Sequence, residues 1–484
     1  METNYQLNQG QESAFTILKP FIDGSDKTFR MQLLEGYAGT GKTFLTNRII
    51  ESVYGNLKIG MTAPTHKAVR QLKKSSELKD VLEFGTIHSF LGLKEKYIDN
   101  PSRPNEMIVS YEPDYSKERK VEGLDVLIVD ESSMLGEILF ELISDELQRS
   151  SKLRILFIGD SIQIPPVKEK GAKKSSKLAI PFIKEQQQSR KIGHVVLTEI
   201  VRQAVGNPII EYATAIRGQY KSGNILHELF KCTESTGVEL LPRTREAMQI
   251  ILKRLFDTPE FKADPDYAKV IAWRNDTVVY FNKFIRSLIY NDETLPYIMK
   301  GDKLITDKPV LKLDKILLPN NEELEVLDVS VSEMEIRYKL IDRGNSFEQL
   351  SDANTPGEQH LSQVFQVYKA SVKTMDNKVF LLDIIHESSQ PHFKTLLNTV
   401  ANYAKKCKDP YDRKVMWREF FGLEKKFAWV KHNYALSAHK SQGSTYKYAI
   451  SMEWDIDVNW DVEERNRIKY VATTRASDKL FIVR

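Results

Sequence analysis

A chain of 484 residues is too long for a peptide hormone or a disulfide mini-protein and has room for about three domains of ~150 residues each. With 41% hydrophobic and 28% charged residues it is expected to fold rather than stay disordered, while a net charge of +4 neither demands nor forbids a polyanionic partner. Two cysteines, Cys232 and Cys407, exclude a disulfide framework and a multi-cysteine zinc site and suit a reducing interior.

The amino terminus METNYQLNQGQES lacks the basic-then-apolar plan of a signal peptide, and no segment approaches ~18 uninterrupted apolar residues, so a cytoplasmic protein with no membrane partner is expected. From residue 29 to 197, the runs FRMQLLE, LKIGMTA, DVLIVD, LRILFIGD and HVVLTEI alternate with helix-like segments. Short, continuously apolar runs of this kind predict parallel strands buried on both faces and joined by crossover helices, an α/β sheet. Within this region, EMIVSYEP and SKERKVEG flank Asp114 and Tyr115 and predict an inserted hairpin at about 97–122.

A second alternating set starts at AKVIAWRND (268–276), continues with the helical VVYFNKFIRSLIY, and resumes near the end with YALSAHKSQG, YAISM and KLFIV. The stretch between its halves differs in character. EVLDVSV, EIRYKLI, VFQVYKASV and KVFLLDI have period-2 patterning that suits a small antiparallel barrel, and HFKTLLNTVANYAKKC and RKVMWREFFGLEKKF have helical spacing. The expected domains are therefore 1–200, 201–299 with 432–484, and an inserted 300–431.

The strongest chemical signal is GYAGTGKT at 36–43, which satisfies G-x-x-x-x-G-K-[ST] between a strand-like and a helix-like run. Gly36, Ala38, Gly39, Thr40 and Gly41 would wrap phosphates with backbone N–H groups. Lys42 would neutralise the terminal oxygens, Thr43 would offer its hydroxyl to Mg2+, and the next helix would add its positive end. Asp130 and Glu131 close the strand DVLIVD at the carboxyl edge, where open α/β sheets meet ligands. Asp130 suits Mg2+ and Glu131 suits activation of the attacking water, although capping of the next helix explains such a pair equally in isolation. Gln163, three residues beyond Asp160, has an amide suited to sensing a terminal phosphate. Arg202 and Arg475 are guanidiniums that could stabilise phosphoryl transfer, and surface ion pairing stays open for both.

In order, QLNQGQESAF, GYAGTGKT, APTHKAV, TIHSFL, VDESSM, GDSIQIPPV, LTEIVRQ, HKSQGST and YVATTRA resemble the motifs of superfamily one DNA helicases, in their RecD-like, five-prime to three-prime branch. That resemblance implies two RecA-like P-loop motor domains with ATP and Mg2+ bound between them. It implies an SH3-like β-barrel plus helical insertion in the second domain and a strand-separating pin at the β-hairpin insertion of the first, with Tyr111 and Tyr115 as candidate pin aromatics. It gives Gln11 the adenine edge and places Gln442 and Gly443 among the nucleotide contacts, with Gln163, Arg202 and Arg475 on the terminal phosphate. It puts Pro64, Thr65, His66, Lys67, Thr86, His88, Ser437, His439 and Lys440 on a single-stranded DNA track, where N-capping or a satisfied loop histidine is the plainer explanation for each alone. The implied partners are single-stranded and forked duplex DNA, with single-strand-binding and replication proteins. The implied setting is a monomer acting in replication or repair, in the host cytoplasm if the source is a phage. Two rivals remain: a P-loop ATPase that remodels protein–nucleic acid complexes without processive unwinding, and a passive single-strand-binding module.

Overall fold

Apolar runs of four to six residues separated by amphipathic helices bury both faces only within a parallel, helix-covered sheet, and the computed structural model contains two such sheets. It describes residues 6–100, 106–116, 118–165, 180, 183–184, 191–201, 206–218, 232–312, 315–341 and 358–484. Arg202 and the lysine-rich 168–177 lie outside these residues.

The first sheet contains β1 (Met31–Gly36), β2 (Ile59–Ala63) and β3 (Glu83–Thr86). Next come a separate pair, β4 (Leu93–Asp99) and β5 (Met107–Pro113), and then β6 (Val126–Val129), β7 (Arg154–Gly159) and β8 (Ile192–Leu197). The strand order is β3-β2-β6-β7-β1-β8, with all neighbours parallel. Alternate residues of the buried strands feed two cores. Leu33, Leu127 and Phe157 pack with Phe140 and Ile143 of the helix Glu137–Arg149. Leu34, Ile128 and Leu156 pack with Leu18 and Phe21 of the helix Gln9–Asp23 and Ile49 of the helix Lys42–Glu51.

The chain then enters the second sheet with β9 (Gly237–Leu241) and β10 (Ala268–Ala272). It departs through β11 (Lys303–Thr306), β12 (Val310–Lys312), β13 (Lys315–Leu318), β14 (Glu323–Ile341), β15 (Glu358–Thr374), β16 (Val379–Ile385) and β17 (Val430–His432). It returns with β18 (Ala435–Ser437), β19 (Tyr446–Met452) and β20 (Ala476–Val483). The second sheet has the parallel order β18-β10-β19-β20-β9. Both parallel sheets belong to one compact unit, and residues 95–110 with 292–433 form the other.

That other unit is built on an antiparallel sheet, β16-β15-β14-β11-β17, beside the pair β12–β13. EVLDVSV and EIRYKLI, expected as two strands, are parts of the single strand β14, because no glycine or proline between them interrupts pairing with β15 from Leu324–Thr374 to Ile341–Glu358. The helices Gln390–Lys406 and Pro410–Glu424 bury Leu396, Val400 and Trp417 against Ile336 and Phe365.

The expected hairpin is corrected. EMIVSYEP pairs with the preceding LKEKYID as β4–β5, not with SKERKVEG. The connection between the paired strands therefore lies between Asp99 and Met107 and not at Asp114 and Tyr115. SKERKVEG is held elsewhere by its arginine: Arg119, 3% exposed, makes two hydrogen bonds to Glu146 at 2.8 and 3.2 Å and one to Glu122 at 2.9 Å. The outer part of the hairpin groups with 292–433 rather than with the first sheet, and Glu106 there pairs with Lys405 at 2.8 Å.

Candidate nucleotide site and nucleic-acid track

The phosphate loop connects β1 to the helix Lys42–Glu51, so its backbone is fixed by a buried strand on one side and a helical N-terminus on the other. Gly39 and Gly41 take φ of 81° and 76°, which a side chain would strain, and a Cβ on Gly41 would lie 2.4 Å from the Gln11 amide nitrogen. Lys42 arches across the loop, and its ammonium donates to the carbonyls of Gly36 at 2.7 Å and Tyr37 at 3.1 Å. Thr43 lies in the first turn of the helix. Gln11, 2% exposed, forms a capping box with Asn8, and its amide nitrogen donates to Thr40 O at 3.1 Å. Gln11 thus supports the loop from behind.

Asp130 and Glu131 follow β6. The Asp130 carboxylate accepts from the Glu131 N–H at 2.8 Å, and Glu131 takes the left-handed φ of 50° at the start of the 3-10 turn Ser132–Met134. Burial, and after it the Glu131 charge, pushes Asp130 up to about 7 despite Lys42 nearby. A carboxylate pair this short of positive charge is a donor set that a divalent cation completes. Among the described residues no cluster of three or more His, Cys, Asp or Glu could hold a metal. Such an ion would therefore take its remaining ligands from phosphates, the Thr43 hydroxyl and water, which fits Mg2+. Behind the loop, Glu35 accepts from His194 at 2.8 Å and pairs with Lys184 at 2.6 Å. Burial alone would raise its pKa, but the hydrogen bonds from His194, Lys184 and Ser161 outweigh it and hold Glu35 down at about 2.

Gln163 is buried, and its side-chain oxygen accepts from the Ser133 hydroxyl at 3.2 Å, which joins the Asp160–Gln163 turn to the Asp130–Glu131 segment. From the second sheet, Gln442 donates to Ile164 O at 2.9 Å, and Gly443 with φ 68° brings its loop against Ala68. Arg475 is buried within its own sheet, where it donates to the carbonyls of Val471 and Ser444 and to the Thr474 hydroxyl. Sequence reasoning missed four residues of this region. Tyr470 bonds to both Ala38 and Asp160, Arg467 to the carbonyls of Ser161 and Gln163, Arg217 lies 4.0 Å from the Tyr37 ring centre, and His194 supports Glu35. The signal for Tyr470 was present, since it opens the motif YVATTRA.

Among the track residues, the capping alternative is realised three times. Thr65 accepts from Ala68 N, Thr86 from Ser89 N and Ser437 from Lys440 N, at 3.2–3.4 Å. Each cap is followed within two residues by a histidine: His66, His88 and His439. All three have lowered pKa values, through desolvation first and, for His66, also through Arg70 and His88. Pro64 leads into the first capped turn, and Lys440 follows His439 on the short helix Ala438–Ser441.

Lys67 is corrected. It is 8% exposed, bonds to Asp266 at 2.9 Å, and lies 4.6 Å from the centre of the Tyr446 ring, so it ties the two parallel sheets together rather than facing a strand. Tyr111 belongs to β5 and meets His88 edge-on at 5.3 Å. Tyr115 lies between Arg119 and Arg149, with its hydroxyl bonded to Arg149 at 2.7 Å, and is no hairpin tip.

A glycine-shaped phosphate loop on one parallel sheet, faced by buried polar groups of a second, defines a P-loop protein built on two parallel α/β sheets. The family model described as an AAA domain matches residues 6–228, and that of the UvrD-like helicase C-terminal domain matches residues 432–483. The chain is 27% identical over 503 residues to "ATP-dependent DNA helicase dda" of Enterobacteria phage T4, covering 99% of each chain. It is 23% identical over 519 residues to "Uncharacterized protein R530" of Acanthamoeba polyphaga mimivirus, covering 98% of this chain and 99% of that one. A solved Pif1 helicase from Bacteroides, in complex with ADP-AlF3 and ssDNA, aligns over 99% of this chain and 92% of its own at 14% identity and a TM-score of 0.49. In these matches the chain is similar to DNA helicases of superfamily one, in their Pif1/RecD-like branch.

Proposed function

We propose that this chain is an ATP-dependent DNA helicase that moves five-prime to three-prime on single-stranded DNA and unwinds the duplex ahead of it. One observation carries the reading. The phosphate loop at Ala38 and the Asp160–Ile164 segment of one sheet share hydrogen bonds with Gln442, Arg467 and Tyr470 of the other, so a nucleotide bound there would sense both. The T4 relative, aligned end to end, bears the name of an ATP-dependent DNA helicase.

ATP, with Mg2+ held by Thr43 and Asp130, supplies the phosphoryl group whose transfer to water drives the motion. Lys42 is poised over the loop to neutralise terminal oxygens, and Gln11 borders the adenine side. Glu131 accepts the proton of the attacking water. Gln163 reports the terminal phosphate through Ser133, while Arg202 and Arg475 stabilise charge spreading over its oxygens. For Arg475 this means exchanging its carbonyl partners for phosphate. The capped turns at Thr65, Thr86 and Ser437, with their neutral histidines, hold the backbone and bases of one strand. The β4–β5 pair acts as the pin and the β-rich insertion as an SH3-like module beside it. Opening a base-pair step requires ~1.4 kcal/mol, well within what one ATP supplies. The setting is cytoplasmic, the active form a monomer, and single-strand-binding and replication proteins are its partners.

Forked duplexes carrying only one kind of single-stranded tail test the reading, with ATP and Mg2+ present. Displacement from the five-prime tail alone is expected. Displacement only from the three-prime tail overturns the polarity, and ATP turnover with no displacement from either favours an ATPase that remodels protein–nucleic acid complexes.

A further inference from the structure

The helix Val462–Thr473 of the second sheet reaches into the nucleotide site of the first through two buried side chains. Tyr470, 1% exposed, accepts a hydrogen bond from the Ala38 N–H of the phosphate loop at 2.9 Å and donates its own hydroxyl proton to Asp160 Oδ2 at 2.7 Å. One turn earlier, Arg467, 4% exposed, donates to the carbonyls of Ser161 and Gln163. One helix therefore grips the leading limb of the phosphate loop and both ends of the turn that carries Gln163. The Tyr470 hydroxyl oxygen joins those two limbs, accepting from one and donating to the other.

We propose that the Tyr470 hydroxyl is a positioning group that keeps the phosphate loop and the Asp160–Gln163 turn in register and transmits the state of the nucleotide to the second sheet. This inference rests on the helicase reading above and gives the tyrosine a role separate from the arginine that follows it. The geometry supplies the reason. Lys42 is anchored to Gly36 and Tyr37 on the limb that Tyr470 holds, and Gln163 sits at the far end of the turn that Asp160 begins. If the helix moves relative to the first sheet, the lysine and the glutamine move with respect to each other. The ring itself packs in the second sheet's core with Ile468 and Val471, so removing only the oxygen leaves that packing in place.

The test is Tyr470→Phe in the full chain, with ATP turnover measured with and without saturating single-stranded DNA, and amide hydrogen exchange followed at residues 37–40. Losing a buried hydrogen bond while its partners, the Ala38 N–H and the Asp160 carboxyl, stay buried corresponds to about tenfold or more. The ratio of DNA-stimulated to unstimulated kcat is therefore expected to fall about tenfold, with KM for ATP changed less than about threefold and faster exchange at Ala38. A ratio equal to the wild type's overturns the proposal. A fall in melting temperature accompanied by a matching rise in KM also overturns it, since that pattern marks a merely structural role. Should wild-type turnover ignore single strands, the helicase reading falls and this inference with it. A stimulated wild type beside an equally stimulated Tyr470→Phe variant removes this inference alone.

Discussion

The phosphate loop and the proposed DNA track both lie at the carboxyl ends of parallel strands, yet they are built differently. In the loop, bonds from distant parts of the chain fix each limb, Gln11 at Thr40 and Tyr470 at Ala38, and Lys42 ties the loop to its own start at Gly36. In the track, each hydroxyl bonds three residues ahead in its own helix, and the histidine beside it is uncharged at neutral pH. A site that must discriminate a charged transition state is pre-shaped by long-range contacts. A surface that must slide along any sequence repeats one local device instead.

The largest effect expected from breaking this contrast is on the loop. Lys42→Ala should lower DNA-stimulated ATP turnover on the order of 10^2–10^3-fold, with unchanged circular dichroism. Normal turnover in that variant would remove the loop from the chemistry. Next comes Lys67, which the sequence placed on the track and the structure places in the lock with Asp266. Lys67→Met should lower the melting temperature by a few degrees, because a mostly buried Asp266 loses its cation at a cost of about 2 kcal/mol. The salt dependence of single-strand binding should meanwhile stay the same, whereas a lost phosphate contact would reduce the log–log slope by about 0.7. The smallest effect sharpens the track itself. Since desolvation lowers His66, His88 and His439 below their ordinary value, the neutral form of each prevails between pH 7 and 8.5, and added charge enters as the pH falls through the lowered values. Single-strand affinity measured by fluorescence anisotropy should change less than about twofold across pH 7–8.5, and a steep decline there would mean that a histidine binds as a cation.

Local signals were legible where chemistry and backbone coincide. GYAGTGKT needs its glycines for φ, and DVLIVD announces both a buried strand and its terminal carboxylates, so sheet, loop and acid pair could all be read together. The strands β3 and β9 were missed because EFGT and GVELL are short, with few buried positions. The hairpin partner was misassigned because LKEKYID and SKERKVEG are both short and heavily charged, so composition does not tell which of them pairs with EMIVSYEP. Lys67 and Tyr470 were misread or overlooked for a different reason. Their partners, Asp266 and Asp160, are 199 and 310 residues away, and no local period encodes such a meeting.

The splice that closes the second sheet around its insertion dictates an order of assembly. Asn282 accepts from the backbone N–H groups of Tyr434 and Ala435 and donates to Ala435 O, contacts that span about 150 residues. Closing an unstructured loop of that length costs about 4 kcal/mol in chain entropy. Within the inserted unit, however, the entry strand β11 and the exit strand β17 lie side by side, with Leu304 opposite His432 and Asn433 N–H bonded to Lys303 O. Once the insertion has collapsed, its two ends emerge as neighbours and that entropy has already been lost. On the ribosome, β10 must wait for more than 160 residues of later chain before β18 can pair with it, and an insertion that has already folded presents β18 to Asn282 with its two ends side by side.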